Sequence, residues 1–438
     1  MKNNNLFQYV VIGAFIFFIV IGAIMFSMYR SSSTGTSTPI NITMWGTLAS
    51  NSFSSFAPKL FTSQQLKYSI DYVEKNPATF DQELVEALAS GDGPDAIILP
   101  SDLIVRYSNK IYPIPVTTLP EATFKQTFIQ GGEIYLNNSG TLALPFTIDP
   151  LVMYWNRDIF NNMAIVRPPA TWAEVSGLIS KLTTKDSSKN ILRSGVALGE
   201  FRNINNAKEI LAAMLIQAGN PIVQIDSGGF LKSVLQDSLG QTPAPANLVL
   251  EYYTNFSNPS RPEYSWNRAL QNSLDAFTNG DLAIYFGFAS EFIKIREKNP
   301  NLNFDVATLP QTTTAVSAKP IKTYGNIMGF AIMKNSNNVP GTYTVISSLA
   351  SAAAVPFWKD IFNLPSARRD ILGQPETSAV KTIFNRSAIM SSGWLDPNYA
   401  ASSNIFKEMV ESYTTSRESI SAAVVTAGGR LSNLLNNN

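Results

Sequence analysis

The chain carries its most suggestive polar side chains between two short apolar segments. Residues 142–144 are apolar and end at Pro145, and a second apolar run, residues 151–155, follows a polar stretch around Thr147 and Asp149. This spacing predicts two strands joined by a polar turn. A carboxylate accepts hydrogen bonds from hydroxyl groups, and its charge makes each such bond stronger than one between neutral groups. Asp149 is therefore a candidate for binding a polar solute.

The amino-acid composition excludes several kinds of chemistry. The 438 residues include no Cys and no His, which excludes thiolate nucleophiles, disulfides, imidazole bases and the usual zinc sites. A net charge of +1, from 33 basic and 32 acidic residues, provides no global field that would attract nucleic acid. We predict no cofactor, no metal and no nucleic-acid partner. Any chemistry would have to use carboxylates, Lys, Tyr, Ser or Thr.

The elements that must position Asp149 alternate between strands and helices. Residues 40–45 and 95–99 are predicted strands, and residues 78–88 between them carry apolar side chains at helical spacing. Thr171 with Glu174 three residues later predicts a helix that begins at about Thr171. With 45% hydrophobic residues the chain can fill two sizeable lobes, and the pattern indicates the α/β class.

The N-terminus predicts a membrane anchor. Residues 6–29 are almost wholly apolar and uncharged, and as a helix they would reach roughly 36 Å, which exceeds a hydrocarbon core of about 30 Å. A cleaved signal peptide is the alternative, although no clean cleavage site follows. We expect residues 1–30 to form an uncleaved anchor, and residues 31–39, rich in Ser, Thr and Gly, to form a flexible linker.

Three motifs, in this order, resemble the extracellular solute-binding proteins of ABC importers, in the branch of maltose-binding and other sugar-binding proteins. They are the strand ending at Pro145, Trp-Asn-Arg-Asp at 155–158, and Pro-Pro-Ala-Thr-Trp-Ala-Glu at 168–174. Weaker matches extend the resemblance over nearly all of residues 40–435. It implies a two-lobe periplasmic-binding-protein-like fold (type II) with hinge crossover strands. Lobe one would comprise residues 40–147 and 308–352, and lobe two residues 148–307 and 353–438.

The resemblance also implies ligand contacts in a cleft between the lobes. Asp149 and Asp102 match carboxylates of sugar-binding relatives, with hinge capping and a helix N-cap as their respective alternatives. Glu200 resembles a polar-aromatic loop that reaches the cleft, and Trp266 is included on composition alone. An aromatic ring offers a flat surface to the C–H face of a sugar, although each ring could instead pack in a core. The aromatic candidates are Trp45, Trp266, Phe288 and Trp394.

The implied function is the substrate-binding component of an ABC importer, which binds a saccharide or related small solute and is not an enzyme. We expect a monomer held on the extracellular or periplasmic side of the membrane, with permease subunits as partners. Leu99 and Phe288 stand where maltose binders carry tryptophans, which argues against a maltodextrin. Two alternatives remain: a glycosidase with carboxylates about 5–10 Å apart, and a sensor or adhesion module that kept the binding fold.

Overall fold

The computed structural model describes residues 40–312 and 321–436. The predicted anchor and linker, residues 1–39, lie outside these residues. In the described part of the chain no single helix is long and apolar enough to cross a membrane. One bent pair, Val339–Leu349 with Ala352–Phe362, meets the criterion by length and composition only.

The architecture is organised around one mixed sheet of ten strands. Its spatial order is β2 (Tyr68–Glu74), β1 (Ile40–Gly46), β3 (Ala96–Pro100), β13 (Thr323–Ile332), β6 (Leu144–Asn156), β11 (Leu282–Phe288), β8 (Ile191–Val196) and β7 (Thr184–Lys185), with β12 (Phe304–Thr308) paired to β6 and β14 (Ser391–Ser392) paired to β13. Two small ribbons complete the strands: β4 (Leu136–Asn137) with β5 (Gly140–Thr141), and β9 (Val223–Ile225) with β10 (Leu231–Ser233).

Helices cover both faces of this sheet. In the described residues the α-helices are α1 (Ser50–Ser63), α2 (Phe80–Ser90), α3 (Ile104–Tyr107), α4 (Glu121–Thr127), α5 (Arg157–Asn162), α6 (Trp172–Leu182), α7 (Ala207–Ala218), α8 (Pro245–Asn255), α9 (Ser273–Thr278), α10 (Glu291–Lys298), α11 (Val339–Leu349), α12 (Val355–Phe362), α13 (Arg369–Leu372), α14 (Ala379–Ile389), α15 (Tyr399–Thr414) and α16 (Ile420–Asn436). Short 3-10 turns occur at Ser101–Leu103, Gln130–Tyr135 and Ala352–Ala354.

The strands predicted at residues 40–45 and 95–99 and the helix predicted at residues 78–88 are confirmed, each boundary lying within two residues of the prediction. The Thr171 prediction is also confirmed, because its Oγ accepts a hydrogen bond from the backbone N–H of Glu174 at 3.1 Å and helix α6 begins at Trp172. This bond satisfies one of the N–H groups that a helix leaves unpaired at its start.

The predicted polar turn around Thr147 and Asp149 is wrong, because β6 runs through it as one strand of 13 residues. Residues 144–150 pair with β13, and residues 151–156 pair with β11 and β12. The prolines are tolerated for a positional reason. Pro145 pairs with Gly329 beside a bulge, where the register shifts between Met328 and Gly329 of β13. Pro150 lies at the point where the partner of β6 changes from β13 to β11. Strand β6 therefore belongs to both lobes.

Separate hydrophobic cores define the two lobes. In the first lobe, Phe146, Phe330 and Trp358 pack on one face of the sheet, and Tyr135 and Ile327 pack on the other. The second lobe has its own core, which contains helix α7 and strand β11.

The packing of helix α12 helps to locate the boundary between the two lobes. Val355 and Trp358 pack in the first lobe, and Ala367 and Leu372 do so as well, although the sequence assigned residues after 352 to the second lobe. We propose that the first lobe extends to about residue 372. The remaining predicted boundaries stay as predictions.

Candidate functional site

Asp149 lies on β6 at the level where the strand passes from one lobe to the other. It is half-buried, faces Asn326 across the β13 pairing, and its Oδ1 accepts a hydrogen bond from the backbone N–H of Ser290 at 3.0 Å. Burial raises the pKa of Asp149 to about 7, although the hydrogen bonds from Ser290 lower it and the nearby charge of Glu291 raises it further. The carboxyl is thus held between the lobes with capacity to accept further hydrogen bonds.

The second lobe contributes a buried ion pair at the start of helix α7. The ammonium of Lys208 lies 2.5 Å from Oδ2 of Asp396, and the two side chains are 2% and 3% exposed. Asp396 also accepts hydrogen bonds from the hydroxyl of Ser402 and the backbone N–H of Asn398, at 2.9 and 3.1 Å. This network fixes the loop after β14 to the first turn of α7.

Tyr399 and Glu209 complete the same network. The Lys208 ammonium lies 3.8 Å from the centre of the Tyr399 ring, which is a cation–π contact, and Tyr399 as a whole residue is 45% exposed. Glu209 is buried and its side chain bonds to Tyr399. Burial raises the pKa of Glu209, and Lys208 partly opposes that shift. The exposed Tyr399 ring can therefore contact a solute.

Asp102 brings a first-lobe carboxyl to this network. It lies in the 3-10 turn after β3, where the neighbouring Ser101 Oγ accepts a hydrogen bond from the backbone N–H of Ile327 at 3.2 Å. Burial raises the pKa of Asp102 to about 6, the charge of Asp396 raises it further, and that of Lys208 lowers it. Asp102 therefore faces the second lobe.

Phe288 and Trp394 lie beside these polar groups but expose little surface. Phe288 is 9% exposed at the end of β11, with its ring 6.2 Å from that of Tyr324. Trp394 is 5% exposed and packs against Phe406, and its indole nitrogen has no hydrogen-bond partner among the described residues. Trp45, at the end of β1, is half-buried, with the ammonium of Lys75 3.7 Å from its ring centre.

Glu200 and Trp266 are engaged elsewhere in the second lobe. Glu200 is buried and forms an ion pair with Arg268, with Oε2 and Nη2 3.0 Å apart. Trp266 has no exposed surface, and its indole N–H donates to Asn203 Oδ1 at 3.2 Å. The structure does not join either side chain to the Asp102–Asp396 group, so their ligand contacts stay as predictions and we leave both out of the proposed site.

Sequence reasoning missed five residues of this group: Lys208, Glu209, Tyr324, Asp396 and Tyr399. One signal was available. Lys208 and Glu209 are adjacent charges in a helix whose following residues, 210–216, are all apolar. Charged residues are almost never fully buried unless they are paired, so such a doublet in a core helix indicates a partner or a ligand.

A metal centre has no support in this part of the molecule. Within residues 40–312 and 321–436, no group of three or more His, Cys, Asp or Glu side chains could hold a metal ion.

Comparison with solved structures supports the fold. The cyclic alpha-maltosyl-1,6-maltose binding protein of Arthrobacter globiformis superposes with a TM-score of 0.73 at 14% identity, covering 91% of this chain and 100% of the other. A sugar-binding protein of Xanthomonas citri gives a TM-score of 0.72 at 15% identity, covering 91% and 98%. At these identities the likeness shows the two-lobe α/β fold alone.

Sequence comparison shows the family. A binding protein of Brucella abortus (strain 2308) is 22% identical over 272 residues, and the match spans 61% of this chain and 61% of that relative's length. The sequence model of the bacterial extracellular solute-binding proteins matches residues 48–356, well over half of the chain. That family consists of binding proteins and not of enzymes, so the glycosidase alternative is not favoured. The chain belongs to the bacterial extracellular solute-binding protein family.

Proposed function

We propose that this chain is the substrate-binding component of an ABC importer and that it binds a saccharide or related polyhydroxylated solute between its lobes. The observation that carries the proposal is a set of carboxyls at the lobe boundary that have no ion-pair partner among the described residues. They are Asp102, Asp149 and Glu209. Similar folds whose bound ligands are named include a cyclo/maltodextrin-binding protein with maltotetraose and a binding protein with mannobiose.

The chemistry of the set suits hydroxyl donors. A carboxylate oxygen accepts hydrogen bonds, and each such bond to a charged group contributes about 1.5–3 kcal/mol. The exposed ring of Tyr399 and the half-buried ring of Trp45 supply apolar surface for the C–H face of a sugar. A site that combines acceptors with flat rings binds a polyhydroxylated ring better than it binds a purely apolar or anionic solute.

The raised pKa of Asp149 predicts how the affinity for a ligand changes with pH. Its pKa of about 7 is raised above its ordinary value, so the folded, ligand-free protein binds the proton more tightly than the unfolded chain. Below pH 7 the carboxyl is therefore mostly protonated in the free protein, and its ionisation as the pH rises makes it a stronger acceptor for ligand hydroxyl groups. We expect affinity to increase between pH 6 and pH 8.

A thermal-shift screen of saccharides, polyols, polyamines and peptides tests the proposal. A saccharide at one hundred times its Kd should stabilise the fold by about 2.7 kcal/mol, and small-angle scattering should show the particle contracting as the lobes close. The Asp149→Asn variant should bind that saccharide about tenfold to a hundredfold more weakly, because a charge-assisted bond is lost. Asp92→Asn, on an exposed turn, is the matched control and should bind normally.

Several outcomes would overturn parts of the proposal. A polyamine or peptide as the best ligand would replace the saccharide class, and turnover of a bound saccharide would favour a glycosidase. Stabilisation without contraction would refute closure. Unchanged affinity of Asp149→Asn in calorimetry would remove that carboxyl from the site.

We also propose that residues 6–29 anchor the protein to the membrane and hold a monomeric binding domain on its outer side, next to permease subunits. The length and composition of this run support the anchor. Membrane fractionation with N-terminal sequencing should find the full-length chain in the membrane fraction. A soluble product that begins near Ser31 would show that the segment is cleaved instead.

A further inference from the structure

A cavity of about 630 Å³ lies between the two lobes, apart from the carboxyls of the proposed saccharide site. Its first-lobe wall is the 3-10 turn Gln130–Tyr135, and its second-lobe wall includes Val223 at the start of β9 and the loop after β14. Of all the residues considered above as ligand contacts, only Trp394 lines this cavity. The cavity is therefore a second concave site on the molecule.

The β9–β10 ribbon shows that the lobes meet on this side of the protein. Its first residue, Val223, lines the cavity, and its tip reaches the first lobe. A Cβ atom added at Gly229 of the tip would lie 3.7 Å from Nδ2 of Asn138, in the turn between β4 and β5. A solute in the cavity would therefore contact both lobes.

Arg369 lines the cavity from the first lobe. Its Nε donates to the backbone carbonyls of Lys125 and Phe128, at 3.0 and 2.6 Å, and these bonds hold the guanidinium at the end of helix α4. The neighbouring carboxylate of Asp370 is paired with Arg368 instead. The terminal nitrogens of Arg369 are therefore available to bind an anion.

Lys322 provides a second cation, which is attached to the second lobe. Its backbone carbonyl accepts hydrogen bonds from the side-chain amides of Gln217, on helix α7, and Gln311, at 2.8 and 2.9 Å. Its backbone N–H donates to Oε1 of Gln311 at 3.0 Å. These bonds fix the backbone of Lys322 without using its ammonium.

The charge of the lining favours an anion. Within residues 40–312 and 321–436, no ion pair includes Lys322 or Arg369. The acidic residue of the lining, Glu133, lies 3.5 Å from the ammonium of Lys125, which offsets its charge. The two cations are thus the charges of the cavity that still need a partner.

The rest of the lining combines apolar surface with unpaired polar atoms. Ile321 and Ile389 are 37% and 46% exposed at this cavity. The indole nitrogen of Trp394 and the hydroxyl of Ser392 belong to residues of the same wall, and neither atom has a hydrogen-bond partner among the described residues. Buried polar atoms without a partner are rare in folded proteins, and a bound solute or an ordered water supplies the missing bond.

We propose that this cavity is a second binding site, which binds a small organic carboxylate with an apolar body. Lys322 and Arg369 bind the carboxylate, and Ile321 and Ile389 pack against the apolar body. A neutral sugar has no charge to offer the cations, and an inorganic anion has no apolar surface to cover the isoleucines. The proposal goes beyond the saccharide function and does not depend on it.

Calorimetric titration of the full chain with benzoate tests the proposal, and benzamide serves as a probe of the same shape without the charge. We expect benzoate to bind at least about tenfold more tightly than benzamide, because its hydrogen bonds to the cations are charge-assisted. Lys322→Met should weaken benzoate binding by about tenfold or more and leave benzamide binding unchanged. Arg386→Met is the control: it removes an exposed cation that does not line the cavity and should bind benzoate normally.

A second variant keeps the test decisive if Lys322→Met does not fold, as circular dichroism would show. Ile389→Glu changes an exposed residue at the cavity, so it should fold, and its carboxylate should abolish benzoate binding by competing for the cations. Equal affinities of the wild type for benzoate and benzamide, or unchanged benzoate affinity in the folded variants, would overturn the proposal. A failed saccharide screen would leave the benzoate result intact, since the two proposed sites use different cations and carboxyls.

Discussion

Replacing Phe146 with Ala is expected to destabilise the first lobe by about 3–5 kcal/mol. The Phe146 side chain is 2% exposed and lies at the centre of an aromatic group, with ring centres 4.5 Å from Trp358, 4.8 Å from Phe330 and 5.7 Å from Phe362. Truncation removes all of these contacts and leaves a cavity that rigid neighbouring rings cannot fill. Urea unfolding followed by tryptophan fluorescence would measure the loss.

An exposed phenylalanine provides the matched control for this variant. Phe230 is 73% exposed at the tip of the β9–β10 ribbon, so Phe230→Ala should change the unfolding free energy by less than about 0.5 kcal/mol. Equal effects of the two substitutions would contradict the assignment of Phe146 to the first-lobe core. The position of Trp358 in that core would be contradicted as well, because its ring packs against that of Phe146.

Asp396→Asn is expected to cost about 3–5 kcal/mol, because it removes the carboxylate that pairs with the buried Lys208 ammonium. The amide keeps the shape of the side chain, but its single oxygen cannot accept from both Ser402 and the backbone N–H of Asn398, so the loss combines the charge with one hydrogen bond. A chemical denaturation series at pH 7 measures it. The exposed pair of Asp275 and Lys298 is the control, and Asp275→Asn should cost no more than about 1 kcal/mol.

A double substitution distinguishes the contribution of the ion pair to stability from a general disruption of the site. Lys208→Met together with Asp396→Asn removes both charges, so it should be less destabilising than Asp396→Asn alone, since no charge is left uncompensated. If the two single effects simply add, the pair does not act as a unit. The loop after β14 would then be held by the hydrogen bonds of Asp396 instead of by its charge.

Local signals in the sequence predicted local structure well. The capping pair Thr171 and Glu174 defined the start of α6, and the apolar run around residues 95–99 defined β3. Both features depend on neighbours within a few residues, so composition and spacing contain the information.

The continuous strand β6 could not be predicted in the same way. Pro145 and the polar stretch around Thr147 and Asp149 indicated a break, and only the pairing with β13, a strand nearly two hundred residues later, shows that the strand continues through them. A bulge and a change of partner are properties of the assembled sheet, and no local pattern encodes them.

The candidate site likewise combines residues that the sequence could indicate with residues that only the fold brings together. The polar stretch after an apolar segment pointed to Asp149, and the resemblance to sugar-binding relatives gave ligand-binding roles to both Asp149 and Asp102. The Lys208–Asp396 pair joins residues 188 positions apart in the chain, and only the fold brings them together. Trp266 was included on composition alone, and the structure buries it completely in the core of the second lobe.

The order of strands in the sheet also determines when the first lobe can fold during synthesis. Strand β3 lies between β1 and β13 in the sheet. The side-chain amide of Asn335, just past β13, donates a hydrogen bond to the carbonyl of Gly93, 242 residues earlier in the chain. The opening third of the chain must therefore remain incompletely paired until β13 has left the ribosome. Such distant pairing makes folding slow, so the edge of β3 that β13 will cover stays exposed until the later strand has been made.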